Sequence, residues 1–407
     1  MRVPPWGMWM GVGAGAWGAI AVTAVSVDGA EGSALFADGW VRTHPMMRSA
    51  NVSRRAACKY FSFIVKNIAK WRAAGKKALV RFPVFCSRRV RYTLAMCLTL
   101  VMLIWIGAIL LTAIVSYLLM FRPVYRSVEY TRKYGIEHGE FPASFCELGW
   151  KPFEFRSSHG YALKGQCLEG RPDAPAILFV HGITWTRYGM AKYMQPFIER
   201  QWNVAAFDLP GHGESKAPGR YYPSYGWYER DDVGAAVEAL HARFPKARAV
   251  GLVGESLGAA SVLEFGPLAE GKPERRVDFI IADCPFSSAW EELVYQMHYA
   301  HIPNLVGWPA AQLIRLTARL VRGFDLKWAS PAQAVLKTRL PIMFVHGMED
   351  RYVPTMMSVQ MASARLSRQE GRTKLLLVPG ARHAKSFMTD PELWTREVFA
   401  FIEEVVR

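Results

Sequence analysis

Twenty-nine consecutive residues, Thr93 to Phe121, carry no charged side chain. As a helix, that run exceeds the roughly 20 residues needed to cross the hydrocarbon of a bilayer. A core helix of that length would show a polar stripe, and "TLAMCLTLVMLIWIGAILLTAIVSYLLMF" shows none. A transmembrane helix over residues 93–121 is expected, with "RRVRY" before it and "RPVYR" after it as interfacial anchors.

Charge is split across this run. The formal net charge is +16. Residues 1–126 hold 17 Lys/Arg against 3 Asp/Glu, and the rest of the chain is near neutral. Between Arg42 and Arg91 there are 14 Lys/Arg and no acid. The positive-inside rule puts that stretch in the cytoplasm and everything after residue 121 outside it. Residues 54–92, with aromatic and apolar residues among the cations, suit a basic amphipathic helix on an anionic leaflet better than a nucleic-acid contact. Residues 1–53 form an apolar, Gly-rich segment followed by a loosely held stretch. The first 27 residues stand open between a signal peptide, a weak additional span that would make the chain two-pass, and an upstream extension from a mis-assigned start. A cleaved signal would reverse the orientation. The six cysteines show no metal-binding spacing; Cys146 and Cys167 could pair in an oxidising compartment, and free buried thiols are the plainer reading.

From about residue 150 the chain alternates short apolar runs with helical patterns. "KPFEFRS" and "GYALKGQCL" read as a hairpin turning at His159–Gly160. "APAILFVHG", "WNVAAFDLPGHG", "ARAVGLVG", "RVDFIIADCP", "LPIMFVHG" and "TKLLLVPG" read as strands separated by helices, which gives an α/β domain with a mostly parallel sheet covered on both faces. Residues 286–337 break the alternation. They read as two or three helices rich in Trp, Tyr, Leu and Met, expected to form a small cap over a site, with Trp290, Tyr295, Met297, Tyr299, Leu305, Trp308, Leu313 and Leu316 covering it.

The site is signalled by "VGLVGESLGAAS". Ser256 stands between Gly254 and Gly258 where a strand runs into a helix. Glycines two before and two after remove side chains that would clash as strand and helix close together, and the turn exposes the hydroxyl at the helix N-terminus. A serine hydroxyl needs a base, and the base needs an orienting acid. Such partners belong at the ends of later strands, acid first. "PIMFVHGMEDRYVP" offers Asp350, with Glu349 as rival, and "TKLLLVPGARHAKSF" offers His383. Two backbone N–H groups should stabilise an oxyanion: Leu257, next to the serine, and Ile183, just past His181–Gly182.

These motifs, together with "HGITWTRYGMAKYM", "YGWYERDDV" and "IADCPFSS", resemble the α/β-hydrolase superfamily, and most of all its bacterial membrane-anchored Bem46-like and serine-aminopeptidase-like members. The resemblance covers about 260 residues and leaves the first 90 outside. Its HG-x-x-D-x-x-VP pattern falls on His346, Gly347, Asp350, Val353 and Pro354, which favours Asp350 over Glu349. It implies an α/β-hydrolase domain over residues 128–407 and a Ser/Asp/His hydrolase with an N-terminal anchor; the apolar cap and the nearby bilayer point to a small, lipid-like acyl substrate. An exopeptidase or acyltransferase would use the same residues, and a non-catalytic membrane binding protein would keep the same fold. No metal or organic cofactor and no nucleic-acid partner are implied. His181, His212 and His346, each beside glycine at a strand end, read as loop-shaping residues, Asp208, Asp231 and Asp232 as turn and helix-start residues, and His298 and His301 as solvent-facing.

Overall fold

The computed structural model describes residues 88–215, 223–369 and 371–406; the N-terminal segment and nearly all of the basic stretch lie outside the described residues. Helix α1 (Arg88–Phe121) contains the uncharged run. Its part from Tyr92 to Phe121 is long and apolar enough to cross a membrane. It stops one residue before Arg122–Pro123, because proline disfavours helical geometry in the residue ahead of it. Helix α2 (Val128–Glu137) follows, capped by Ser127, whose hydroxyl accepts the Tyr130 N–H at 3.0 Å.

Eight strands form one sheet: β1 (Lys151–Arg156), β2 (Ala162–Leu168), β3 (Ala176–Val180), β4 (Asn203–Phe207), β5 (Val250–Glu255), β6 (Phe279–Asp283), β7 (Ile342–Gly347) and β8 (Thr373–Val378). Their order is β1-β2-β4-β3-β5-β6-β7-β8. The hairpin β1/β2 is antiparallel and turns at Gly160, whose φ of 90° suits glycine. From β4 to β8 every pairing is parallel. Central strands are buried along their whole length, and their residues alternate between two cores. In β3, Ala176, Leu178 and Val180 enter one core, while Ile177 and Phe179 enter the other. The first core is closed by α4 (Glu229–Arg243), α5 (Leu257–Ala269) and α8 (Thr355–Arg368). The second is closed by α3 (Ala191–Glu199) and α9 (Pro391–Val405). This is the α/β-hydrolase arrangement.

The insertion after β6 holds α6 (Ala289–Tyr299) and α7 (Asn304–Thr317), continued by a π-helical turn over Ala318–Arg322. Its side chains depart from expectation. Met297 is buried and Trp290 and Tyr295 are half-buried, but Tyr299, Leu305, Trp308, Leu313 and Leu316 face outward. Small residues explain this: Gly307, Ala310 and Ala311 form the inner face of α7, so the helix packs closely and its large side chains have no room beneath it. Cys146 and Cys167 are both free thiols, and Cys167 is buried under β1 with its thiol towards the Pro152 carbonyl.

Gly258 is the tightest fit between sheet and helix. A Cβ there would stand 2.0 Å from the Val180 carbonyl oxygen, a backbone atom that cannot swing aside. Gly258→Ala is therefore expected to cost about 3 kcal/mol or more, at or beyond the top of the usual overpacking range. Chemical unfolding of the detergent-purified chain would show it as a shift of midpoint without change of slope.

Candidate active site

Strand β5 delivers Glu255 and Ser256 to the carboxyl end of the sheet, and the chain turns there into α5. Ser256 has φ 54° and ψ −113°. A non-glycine residue in that region is strained by on the order of 1–3 kcal/mol. The turn survives because Gly254 lets α5 come close: a Cβ on it would lie 2.5 Å from the Gly258 backbone. Three more positive-φ residues surround the same place, namely Thr184 after β3, Cys284 after β6 and Ala384 after β8. Strain collected at four strand ends around one serine marks a functional region.

The structure brings the three sequence-derived side chains together. His383 Nε2 lies 3.0 Å from Ser256 Oγ. On the other side of the ring, Nδ1 lies 2.7 Å from Asp350 Oδ2. Asp350 Oδ1 accepts the backbone N–H groups of Tyr352 and Val353, both at 2.9 Å. Burial works to raise the Asp350 carboxyl, but hydrogen bonds from His346 and His383 outweigh it and hold the group well below the usual carboxylate range. An ionised Asp350 fixes the proton of His383 on Nδ1, which leaves Nε2 free to accept from Ser256. Glu349, the rival acid, is exposed. It lies in a cleft of about 440 Å³ formed with Tyr299, Arg351, Tyr352, Arg382 and His383.

The loop after β3 passes directly over the serine. A Cβ on Gly182 would stand 3.4 Å from Ser256 Cβ. Ile183 follows in this loop, and Leu257 opens α5. Neither backbone N–H has an acceptor among the described hydrogen bonds, so both remain available to an oxyanion. The loop is held by the histidines beside it. His181 Nε2 accepts from Leu209 N at 2.9 Å, and His212 Nε2 accepts from Thr184 N at 3.2 Å. Burial pushes His181 down to about 4 and His212 to about 3, so both stay neutral and able to accept.

Three contributions escaped the sequence. His346 is more than a loop residue: its Nε2 lies 3.2 Å from Asp350 Oδ2, while its Nδ1 meets Ser358 Oγ at 2.7 Å. Asp208 is more than a turn residue: it is fully buried against Arg187 and accepts the Arg187 N–H at 2.8 Å. Behind Ser256, Lys192 is buried with its ammonium 2.6 Å from Glu255 and donating to the Ala384 carbonyl at 2.9 Å. Burial alone would lower Lys192; Glu255 and Glu140 outweigh it and hold it above its ordinary value. The Tyr193 hydroxyl sits 3.0 Å from both Glu255 and Asp283 and has one proton to give. Burial and the Glu255 charge push Asp283 up to about 6. This network ties the strand end that carries Ser256 to the residue after His383. A Lys inside an amphipathic helix pattern gives no sign of such a partner.

With this geometry in place, comparison with known proteins is informative. Residues 177–397 match the model of the alpha/beta hydrolase family, which is more than half of the chain. The chain belongs to the alpha/beta hydrolase family. The match is to the family as a whole. YqkD of Bacillus subtilis, described only as an uncharacterized protein, is 28% identical over 262 residues, covering 64% of this chain and 82% of YqkD. The Pyrococcus furiosus esterase Pf2001 superposes with a TM-score of 0.51 at 22% identity, covering 66% of this chain and 95% of the esterase. A second crystal form of that esterase gives 0.50 at 21% identity, with 66% and 96% covered. These likenesses are of fold. As a member of the family, the protein is a hydrolase.

One group of described residues offers metal ligands: donor atoms of Cys284, Asp350 and His383 lie within 4.8 Å of one another. Burial holds the Cys284 thiol well above its ordinary value. A cation there would take Asp350 and His383 away from Ser256.

The cap contributes one unusual acid. Glu292 on α6 is buried; one carboxylate oxygen accepts from Gln296 at 2.8 Å, and the other has no partner among the described residues. Burial pushes it up to about 7. The folded chain therefore holds this proton more tightly than the unfolded chain does. The stabilisation is complete below the ordinary carboxyl value of 4.5 and is lost as pH rises through about 7. Glu292→Gln should flatten the fall in stability between about pH 5 and pH 8, read as urea midpoints across that range. An unchanged pH slope would contradict the assignment.

Proposed function

We propose that the protein is a membrane-anchored serine hydrolase that cleaves an acyl ester through an acyl-enzyme. The observation carrying this reading is the Ser256–His383–Asp350 chain of hydrogen bonds at 3.0 and 2.7 Å, set on a strained turn at the N-terminus of α5. Ser256 Oγ attacks the acyl carbonyl while His383 Nε2 takes its proton. Asp350 holds the Nδ1 tautomer and stabilises the imidazolium that forms. The N–H groups of Ile183 and Leu257 receive the developing oxyanion, aided by the helix dipole. His383 then protonates the leaving alcohol, and water activated by the same imidazole releases the acid and restores Ser256. Helix α1 serves as the anchor. The absence of acids and wealth of cations between Arg42 and Arg91 favours an extracytoplasmic hydrolase domain.

A second reading, cleavage of aminoacyl amides, draws on Glu292. A buried carboxylate with an unpartnered oxygen, close enough to His383 and Asp350 to feel their charges, suits a substrate ammonium group.

Ser256→Ala and His383→Ala should each lower turnover by several orders of magnitude, and Asp350→Asn by somewhat less, with little change in folded fraction. Glu349→Gln should retain activity. A fluorophosphonate probe should label the wild type and not Ser256→Ala; an unlabelled wild type would favour a non-catalytic binding protein. Across p-nitrophenyl esters, kcat/KM should rise from acetate to about hexanoate, since each buried methylene is worth roughly 0.8 kcal/mol. A flat series with faster aminoacyl amides, lost in Glu292→Gln, would select the peptidase reading.

A further inference from the structure

The cap carries an apolar face that nothing among the described residues covers. Along α7 and its π-helical continuation, Leu305, Trp308, Leu316 and Leu320 are 67, 60, 51 and 77% exposed. At 100° per residue they fall within one broad stripe. The opposite side of the same helix, Gly307, Ala310, Ala311 and Ile314, is buried on the domain. Apart from Val306 and Ile314, the usual arrangement is inverted, with large apolar side chains outward and small ones inward. Isolated exposed leucines need no explanation, but a continuous stripe with a tryptophan marks an interaction surface.

The stripe adjoins the end of α1. Phe121 meets Phe324 and Tyr225 edge to face, with ring centroids 6.2 and 6.1 Å apart. Arg322, at the end of the π-helical turn, donates to the Tyr117 hydroxyl at 2.8 Å, and the Tyr225 hydroxyl donates to the Met120 carbonyl at 2.7 Å. Ala113 is also buried in the cluster that contains Ala318 and Phe324. Ala113 lies eight residues before Phe121, roughly 12 Å along the helix axis. The apolar part of α1 has 30 residues, about 45 Å of helix, against about 30 Å of hydrocarbon. The surplus of about 15 Å matches the length over which α1 is held by the cap. Contact at that depth brings the cap to the boundary between headgroups and acyl chains. Arg319, half-exposed between Leu316 and Leu320 and 3.6 Å from Asp325, is placed to reach headgroups while its stem lies on the apolar stripe.

We infer that the outward face of α7 and its π-helical turn is a second, monotopic membrane contact, which seats the hydrolase domain cap-down on the bilayer that α1 crosses. The inference rests on reading α1 as a span. The segment joining α1 to α2 is tied to the loop over Ser256, with Arg126 N donating to the Thr184 carbonyl at 2.8 Å and Tyr125 packed on His212. The cleft beside His383 is thereby presented to the interface, where an amphiphilic ester is concentrated.

The test uses the full chain in nanodiscs of phosphatidylcholine and phosphatidylglycerol. A photoreactive benzoylphenylalanine replaces Leu316, Leu111 in α1, or Leu366 at the far end of α8, all exposed positions. Lipid adducts detected by mass are expected at 111 and 316 and not at 366. Adducts at 111 without adducts at 316 would overturn the cap contact and leave the span intact. Silence at 111 would overturn the span and the inference with it. A chain–chain adduct from 316 in place of lipid would assign the stripe to a second copy and also overturn the inference. As a functional arm, Leu316→Glu with Leu320→Glu should leave hydrolysis of a dissolved short-chain ester unchanged and lower hydrolysis of a vesicle-embedded ester at least fivefold. Equal rates on the embedded ester would count against the contact.

Discussion

The contact between α5 and the sheet at Gly254 and Gly258 is the constraint on which the site depends. Only glycine permits the helix backbone to lie against Val180 and to leave β5 so abruptly. That closeness forces Ser256 to a positive φ and aims the first N–H groups of the helix at the space above its hydroxyl. The placement of the Ser256 hydroxyl, the N–H groups turned towards it and the direction of the helix dipole are three consequences of one steric fact.

Holding so strained a junction requires support from behind, and the buried Lys192–Glu255 pair supplies it. Such a pair contributes little net stability when compared with apolar packing, because desolvation offsets most of the attraction. Its value here is positional. Lys192 reaches the Ala384 carbonyl, so the strand that carries Ser256 and the loop that carries His383 share one buried cation. A second support lies at the acid: His346 and the backbone N–H groups of Tyr352 and Val353 join His383 in keeping Asp350 ionised in a place where burial would protonate it. The charge that orients His383 is therefore maintained in part by groups outside the Ser256–His383–Asp350 chain.

The end of α1 is built into this site region as well. Tyr125 and Arg126 touch the loop over Ser256, while Tyr117 and Phe121 meet the cap. A flexible tether would let the domain drift above a membrane. This junction instead couples the orientation of the domain to that of the helix, so the direction of the cleft and the position of the cap follow together.

Much of the fold was legible in the chain because its signals are local. Strand periodicity, the glycines around Ser256, the strand-end positions of Asp350 and His383, and the uncharged run in α1 each reside in a short window, and each arises from a backbone or solvation requirement that acts on that window. Long-range partners were not legible. That Lys192 would neutralise Glu255, that His346 would stand behind Asp350, and that Asp208 would bury Arg187 depend on which surfaces the sheet order brings together. The cap shows the difference most clearly. Its sequence shows an apolar insertion, but whether Leu305, Trp308 and Leu316 face the site or the outside was decided by the small residues on the other side of α7 and the end of α1 beside it. Amphipathic period says that a helix has an apolar side; only packing says what that side meets, because burial is a property of neighbours and not of the residue itself.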